Sequence, residues 1–529
     1  MKTECRLHHT IHADASARTA FTTCGGGSTT ALNRTSLATS RPAFARPLAN
    51  ALGSAGNGVK RLWSSTMCAF AALCLCSVCA AATWTPADLD RLTQDFVTRI
   101  SSSFQATAHP FRFLNPADCF ANGTSCFGSN PDSQYGYPAF DTDRWSTTLK
   151  ATETLVLIME TPPPMRYFGI TAYIYSRFYA SLPSDPGQSG VVPVFESLLD
   201  TINSRDVATA GSPTPGQVPF SQISVFVVTA DATTYDKVVK HFTAIGFPRS
   251  AINLLTMPID DVPLRMGSTP KSDRYAVLMR TAYAESDALM SDYMRRAPVR
   301  TLKLTPLTAR RVSPLPSPTN TVPGSGFAES ADLGRARDEL ASQLVIAYSS
   351  AYLASESRVV MAQTRNYWCV EHGLPCNGDN PDALYGADAR GFVPASRFDK
   401  FLIVGVDHAR TGKAAYVSHA AMNDANDAGV VAVDDVRLRG SALVMGGVGG
   451  SGDPRYALYS QLYAFTLSYD CTGERVCVQI PEPTSSDPIG IAFGNPFSVA
   501  ARYYLDPATN TRPSLDEVIP HRVFILRKR

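Results

Sequence analysis

After Thr85-Pro86-Ala87-Asp88, apolar residues fall at Leu89, Leu92, Phe96, Ile100 and Phe104. That spacing predicts an opening helix with one buried face, with Thr85 as N-cap, Pro86 in the first turn and Asp88 at its positive end. An apolar run at 155–159 predicts a strand, and 166–175 a returning strand. Glu160-Thr161-Pro162-Pro163-Pro164 between them is a rigid turn in which no helix can form. The same order comes back later. Ser330 precedes a helix whose Leu333, Leu340, Leu344 and Tyr348 share a face, and runs at 401–406 and 414–418 predict a second strand pair. Ala172-Tyr173-Ile174 and Ala415-Tyr416-Val417 read as matching parts of the two return strands.

Between these stretches the periodicity changes. A β-branched strand at 223–229 leads to a helix at 234–245, with Tyr235, Val238, Val239, Phe242 and Ile245 on one face and Gly246 as its stop. Strands at 252–257 and 275–283, a helix at 286–296 and a strand at 299–304 complete a β-α-β-β-α-β order, the ferredoxin-like arrangement. Residues 306–327 hold five prolines among Ser, Thr and Gly and read as an exposed linker. Farther on, 461–469 and 476–480 read as a hairpin closed by Cys471 and Cys477, and 522–526 as a last strand.

One stretch is written twice. Residues 119–136, CFANGTSCFGSNPDSQYG, and 369–386, CVEHGLPCNGDNPDALYG, share a C-x3-G-x2-C-x-G-x-N-P-D-x2-Y-G pattern at an offset of 250. Nine of eighteen columns agree, two of them cysteine, which points to internal duplication. The repeated unit reads as a helix, a disulfide loop, an Asn-Pro-Asp turn and a hairpin.

Composition bears on address more than on chemistry. At 529 residues, with 44% hydrophobic and 18% charged residues, the chain is expected to fold as two or three globular domains. Residues 1–58 are rich in Ser, Thr, Ala, Gly and Arg and read as a disordered leader. Lys60 and Arg61, the apolar run at 67–82 and its closing Ala80-Ala81-Ala82 match a secretory signal peptide at 59–82. An uncleaved anchor is the alternative, but the run is short of the ~20 apolar residues a bilayer needs. Translation starting near Val59 or Met67 would explain the leader, an organelle transit peptide being the other account. Without residues 1–82 the chain has 40 basic and 44 acidic residues. That mild negative charge argues against a nucleic-acid partner, and no transmembrane segment is expected in the mature chain.

The six cysteines outside that leader fall into local pairs: Cys119 with Cys126, Cys369 with Cys376, and Cys471 with Cys477. Their spacing and the duplication favour three local disulfides in an oxidising compartment. Metal binding is the rival reading, for which C-x6-C is a poor spacing.

Candidate chemistry is sparse. In each copy Asn-Pro-Asp-x2-Tyr-Gly has a purely structural account as a turn. The functional account has the two copies meeting across a pseudo-twofold axis, bringing Asp132, Asp382, Tyr135 and Tyr385 to one cleft, where paired carboxylates could act as general acid and base. His408, present in one copy only, is a further catalytic candidate, although Asp407-His408 reads first as a surface pair. Gly446 to Gly452 lacks the lysine of a phosphate loop; no G-x-S-x-G elbow occurs, and the histidines never take zinc-enzyme spacing. The sequence therefore asks for no cofactor and no metal. Asn122-Gly123-Thr124 is a glycosylation sequon.

Asn130-Pro131-Asp132-x2-Tyr135, a strand, a proline turn and Met165-Arg166-Tyr167-Phe168 together resemble an uncharacterised bacterial domain, often exported, with N-x-D-x2-Y followed by Arg-Tyr-Tyr. The resemblance covers about 60 residues of the first copy and adds Arg166 as a binding candidate; the second copy has Gly412-Lys413 at that place. It implies a fold and no chemistry.

The expectation is therefore an α+β protein with a duplicated helix, disulfide-loop and hairpin unit, a ferredoxin-like (βαββαβ) insertion and a β-rich C-terminal part. Its units would be 83–200, 201–305, a linker at 306–328, and 329–529. It would be secreted or periplasmic, holding a small molecule or envelope component at the junction of the copies. A hydrolase using Asp132 and Asp382 there is the alternative.

Overall fold

The computed structural model describes residues 84–140, 145–183, 185–260, 264–318, 322–363 and 366–529. The expected leader and signal peptide lie outside the described residues. The first copy runs α1 (Leu89–Ile100), β1 (Phe104–His109), β2 (Phe111–Phe113), α2 (Pro116–Asn122), β3 (Ser133–Pro138), β4 (Thr154–Glu160), β5 (Met165–Tyr179), β6 (Gly190–Val192) and β7 (Glu196–Asn203). It continues through β8 (Ile223–Thr229), α3 (Ala232–Ala244), β9 (Ile252–Thr256), β10 (Arg274–Ala284), α4 (Asp287–Arg296) and β11 (Val299–Pro306). The second copy begins with α5 (Ala331–Tyr348), β12 (Tyr352–Ser357), β13 (Val360–Gln363), α6 (Trp368–His372), β14 (Ala383–Phe392), β15 (Lys400–Val406), β16 (Tyr416–Asn423) and β17 (Ala428–Asp434). Short helices α7 (Asp435–Leu438), α8 (Ser441–Met445) and α9 (Tyr456–Tyr459) precede β18 (Leu462–Ser468), β19 (Cys477–Gln479), β20 (Phe497–Tyr504) and β21 (Arg522–Lys528).

Apart from β6, which pairs with the end of β5 in the first copy only, the strands of the two copies correspond. One sheet is ordered β1-β11-β4-β8-β9 and its counterpart β12-β21-β15-β18-β19, each ending in a parallel pair. The other sheet runs β2-β3-β10-β5 with β7 beside β5, and its counterpart β13-β14-β20-β16-β17. The chain is thus α+β and duplicated, and the repeat extends well past the unit read from sequence. In each copy helices cover the first sheet: α1 and α3 meet where Phe96 stacks on Phe242, ring centres 3.8 Å apart. Leu157, Met159, Phe168, Ile170, Val277 and Met279 fill the space between the first copy's sheets.

The expected hairpin of the repeated unit does not form, because β4 and β15 lie in one sheet of their copy while β5 and β16 cross to the other, and three further expectations need correction. The β-α-β-β-α-β order at 223–306 is observed, but its strands form no sheet of their own. β8, β9 and β11 join β1 and β4, while β10 goes to the centre of the other sheet. Periodicity gives an order of elements and says nothing of partners; β10 is buried on both faces along most of its length, as an inner strand requires. Second, β18 and β19 are parallel, Thr466 opposite Cys477, so the Cys471–Cys477 bond closes a short crossover where the first copy uses α3. Third, the proline-rich segment after β11 lies against the first copy. Ala232 N–H donates to Ser313 O at 2.8 Å, Arg310 pairs with the buried Asp231, and Leu315 is buried.

All three local disulfides form, with Cα–Cα distances of 5.8, 5.9 and 5.7 Å. The two equivalent loops reach across to the opposite copy. Cys126 N–H donates to Asn426 O and Gly128 N–H to Asp427 O, both at 2.7 Å. Reciprocally, Cys376 N–H donates to Val194 O at 2.7 Å and Gly378 N–H to Phe195 O at 2.8 Å. The backbone repeats as closely: Phe127 and Asn377 have φ of 54° and 53°, Gly128 and Gly378 70° and 67°, Tyr283 and Leu505 55° and 46°. A left-handed non-glycine residue costs about 1–2 kcal/mol, so its recurrence at matched positions marks a conformation the docking imposes.

At Gly429 strand and loop come closest, since a Cβ there would lie 2.4 Å from Pro131 Cδ and 2.8 Å from Ser129 O. Gly429→Ala is expected to cost about 1–3 kcal/mol and to lower Tm in a melt. Gly449→Ala, with nothing within 4 Å of its Cβ, should leave Tm unchanged.

Candidate functional site

Strand register superimposes the copies residue by residue. Arg280 lies opposite Tyr135 on β3, and Arg502 opposite Tyr385 on β14, so the two arginines are equivalent. Counting along the strands from them pairs Tyr137 with Ala387, Leu278 with Ala500 and Tyr173 with Met422. The same register pairs Tyr167, opposite Ala282, with Tyr416, opposite Tyr504. That corrects the match of Tyr173 to Tyr416, which local similarity had suggested.

These pairs differ in size, and the difference makes a cleft. In the first copy Tyr137 stacks on Trp145 at 4.2 Å, and Phe195 packs on Tyr173 at 5.0 Å and Phe127 at 5.1 Å, filling the face of the sheet. In the second copy the corresponding face carries Ala387, Ala420, Met422 and Ala500. Where the first copy has Phe127 and Phe195, the second has Asn377 donating to Asp427 at 2.5 Å. A cleft of about 710 Å³ lies over this face, walled by edge strand β13, both disulfide loops, and Tyr135 and Arg280 of the first copy.

Tyr135 and Tyr385 both line this cleft. With them come Arg280 and Arg502, which sequence reasoning missed. Each arginine is 5% exposed and ties its strand to the opposite loop: Arg502 Nη2 donates to Gly128 O at 2.6 Å, and Arg280 Nη2 donates to Gly378 O. Arg280 also donates to Tyr173 Oη and lies over the Tyr135 and Tyr173 rings. The available signal was a lone arginine inside an apolar strand, the kind of residue that is almost never buried without a reason.

The carboxylates do not join them. Neither Asp132 nor Asp382 lines the cleft, and they share no hydrogen-bond partner. Asp132 accepts from Tyr283 Oη at 2.6 Å, and burial raises its pKa against the pull of that bond. Asp382 accepts from Tyr167 Oη at 2.9 Å and Asn203 Nδ2 at 3.2 Å, and burial pushes it up to about 7. Both brace the junction, where Tyr416 stacks on Tyr504 at 4.8 Å and Tyr167 packs on Tyr504 at 4.8 Å. Arg166 is a tie of the same kind, donating to Ala415 O at 2.7 Å and pairing with Asp434 and Asp435.

His408 is not a surface residue. It is fully buried, Nδ1 bonded to Glu329 Oε1 at 2.7 Å, and belongs to a polar layer between the second copy's sheets. There His521 bridges Tyr503 Oη (2.7 Å) and Asp388 Oδ2 (2.8 Å), while His419 Nε2 meets Tyr463 Oη at 2.7 Å. Burial and the neighbouring His521 hold His419 well below the usual histidine range, so it stays neutral. Its counterpart in the apolar core of the first copy is Ile170. Among the described residues Glu196, Cys369 and Cys376 are the group close enough to hold a metal, but both sulfurs are committed to a disulfide.

No family model matches this chain, and no curated protein does either. A crystal structure of an uncharacterized protein from Burkholderia cenocepacia is similar over 83% of this chain and 87% of that one, at 11% identity and a TM-score of 0.34. A structure described as an anti-sigma factor domain-containing protein is matched over 79% of this chain and 95% of that one, at 6% identity and a TM-score of 0.10. Neither likeness carries an argument about what the cleft does.

The junction makes stability pH-dependent. Burial pushes Asp382 up to about 7 and Asp206 and Glu196 up to about 8. A carboxyl raised on folding binds its proton more tightly in the native state, so its contribution is complete at acid pH and is lost as pH rises through 7 to 8. Tm is expected to be higher near about pH 5 than near about pH 9, and Asp382→Asn to flatten part of that fall. A Tm that rises over the same interval would contradict it.

Proposed function

We propose that this is an exported protein, secreted or periplasmic, that binds a small molecule in the cleft between its two copies. The observation that carries the reading is internal to the chain. One sheet face is packed with Tyr137, Leu278, Tyr173, Phe127 and Phe195, whereas its duplicate has Ala387, Ala500, Met422, Asn377 and Asp427. Truncating buried side chains without refilling the space costs about 2–5 kcal/mol per large residue. A hollow kept open at that cost, with polar groups converging on it, is the usual form of a ligand site. Three disulfides support export, as does the apolar run at 67–82. Among the described residues no helix is long and apolar enough to cross a membrane. The paired-carboxylate hydrolase loses support here, because Asp132 and Asp382 stand outside the cleft.

Two measurements test this. Ala387→Tyr restores the first copy's residue and is expected to abolish ligand-induced Tm shifts in a small-molecule screen while leaving the far-UV circular dichroism unchanged. Retention of those shifts would move the site elsewhere. The exported protein is expected to begin at Thr83 on N-terminal sequencing.

A further inference from the structure

The cleft holds two arginines that make no direct ion pair, the nearest charge effects on them coming from Asp382 and Asp132 behind the sheet. Arg280 and Arg502 are both nearly buried, and both line the cleft. Among the described residues neither has a carboxylate within ion-pair distance, although 13 other arginines have one. Their hydrogen bonds go to neutral acceptors: two glycine carbonyls and a tyrosine hydroxyl. Arg502 Nη1 is enclosed and has no acceptor at all.

The acids on the cleft wall are engaged elsewhere. Ser197 donates to Asp379 from N and Oγ at 2.7 and 2.9 Å, and Asp424 accepts from Gly391 N and Ser498 Oγ at 2.8 and 2.7 Å. Asp427 accepts from Asn377 Nδ2. A buried cation is costly unless it is paired, and two on one cleft add mutual repulsion. A planar guanidinium with a spare N–H is the group that best receives a carboxylate or phosphate oxygen.

Resting on the cleft being the ligand site, we infer that its ligand is a small organic oxyanion. The acid group lies at Arg502 and Arg280, and an apolar body lies against Met422, Ala387, Ala500 and Trp368. Carboxylate and phosphate share this chemistry, and the test separates them.

The full exported protein is titrated by calorimetry with 2-naphthoate, naphthyl phosphate and the neutral 2-naphthamide, at up to millimolar concentration. Either acid is expected to bind at least about tenfold more tightly than the amide, the tighter of the two naming the acid class. Arg502→Met is expected to lose that advantage, and Arg502→Lys to keep part of it, which a merely structural arginine would not do. Circular dichroism and Tm establish that each variant folds. If Arg502→Met fails to fold, the comparison of acid with amide on the wild type decides alone. Equal binding of acid and amide, no binding of either acid, or undiminished acid binding by folded Arg502→Met would overturn the inference. Ala387→Tyr separates the two levels of failure: an amide that binds wild type and not this variant keeps the cleft as the site and removes the anion. An acid that binds both equally removes the cleft.

Discussion

The structure depends on an exchange of backbone hydrogen bonds between two disulfide loops and two turns. Each loop is closed by its own Cys pair, and the second cysteine of the pair and the glycine two residues on give their N–H groups to the other copy. A ring of this size restricts the unfolded chain by about 2–3 kcal/mol, and the left-handed residues beside it aim the N–H groups outward. The arginines bind the same loops from beneath, Arg502 at Gly128 and Arg280 at Gly378. Loop, turn and arginine therefore set the relative position of the two sheets that face the junction. The aromatic packing of Tyr167, Tyr416 and Tyr504, and the buried bonds of Asp132 and Asp382, occupy the space so defined.

Within that frame the copies have gone different ways. The first has an apolar core and a filled outer face; the second has a buried histidine, tyrosine and aspartate layer and a hollow outer face. Buried polar groups cost stability unless every partner is supplied. Here partners from far along the chain supply one side of each group, Glu329 for His408, Asp388 for His521 and Tyr463 for His419, while His408 Nε2, His419 Nδ1 and Asp388 Oδ1 find none among the described residues.

Much of this organisation was legible in the sequence, and what was not had physical causes. Helix faces such as Leu89, Leu92, Phe96 and Ile100, and strand 223–229, follow from periodicity alone. The duplicated cysteine stretch announced both the repeat and the bonds. Partner choice was not legible, because an apolar strand such as β10 is equally at home in either sheet. The arginines escaped notice for a related reason. The cysteine stretches are 250 positions apart, but Arg280 and Arg502 are 222 apart, so no single offset aligns them. His408 read as a surface residue because its partner Glu329 lies 79 positions away. Asp132 and Asp382 lie at the junction and not on the cleft, since the tyrosines that hold them come from β10 and β5.

Reciprocal contacts of this kind are what two identical subunits present to each other across a twofold axis. A homodimer built this way must carry the same residue at both related positions, and so would have two hollows or none. Joining the halves in one polypeptide lifts that restriction. Tyr137 can stay large for rigidity while Ala387 stays small for access, a division of labour that no homodimer can encode.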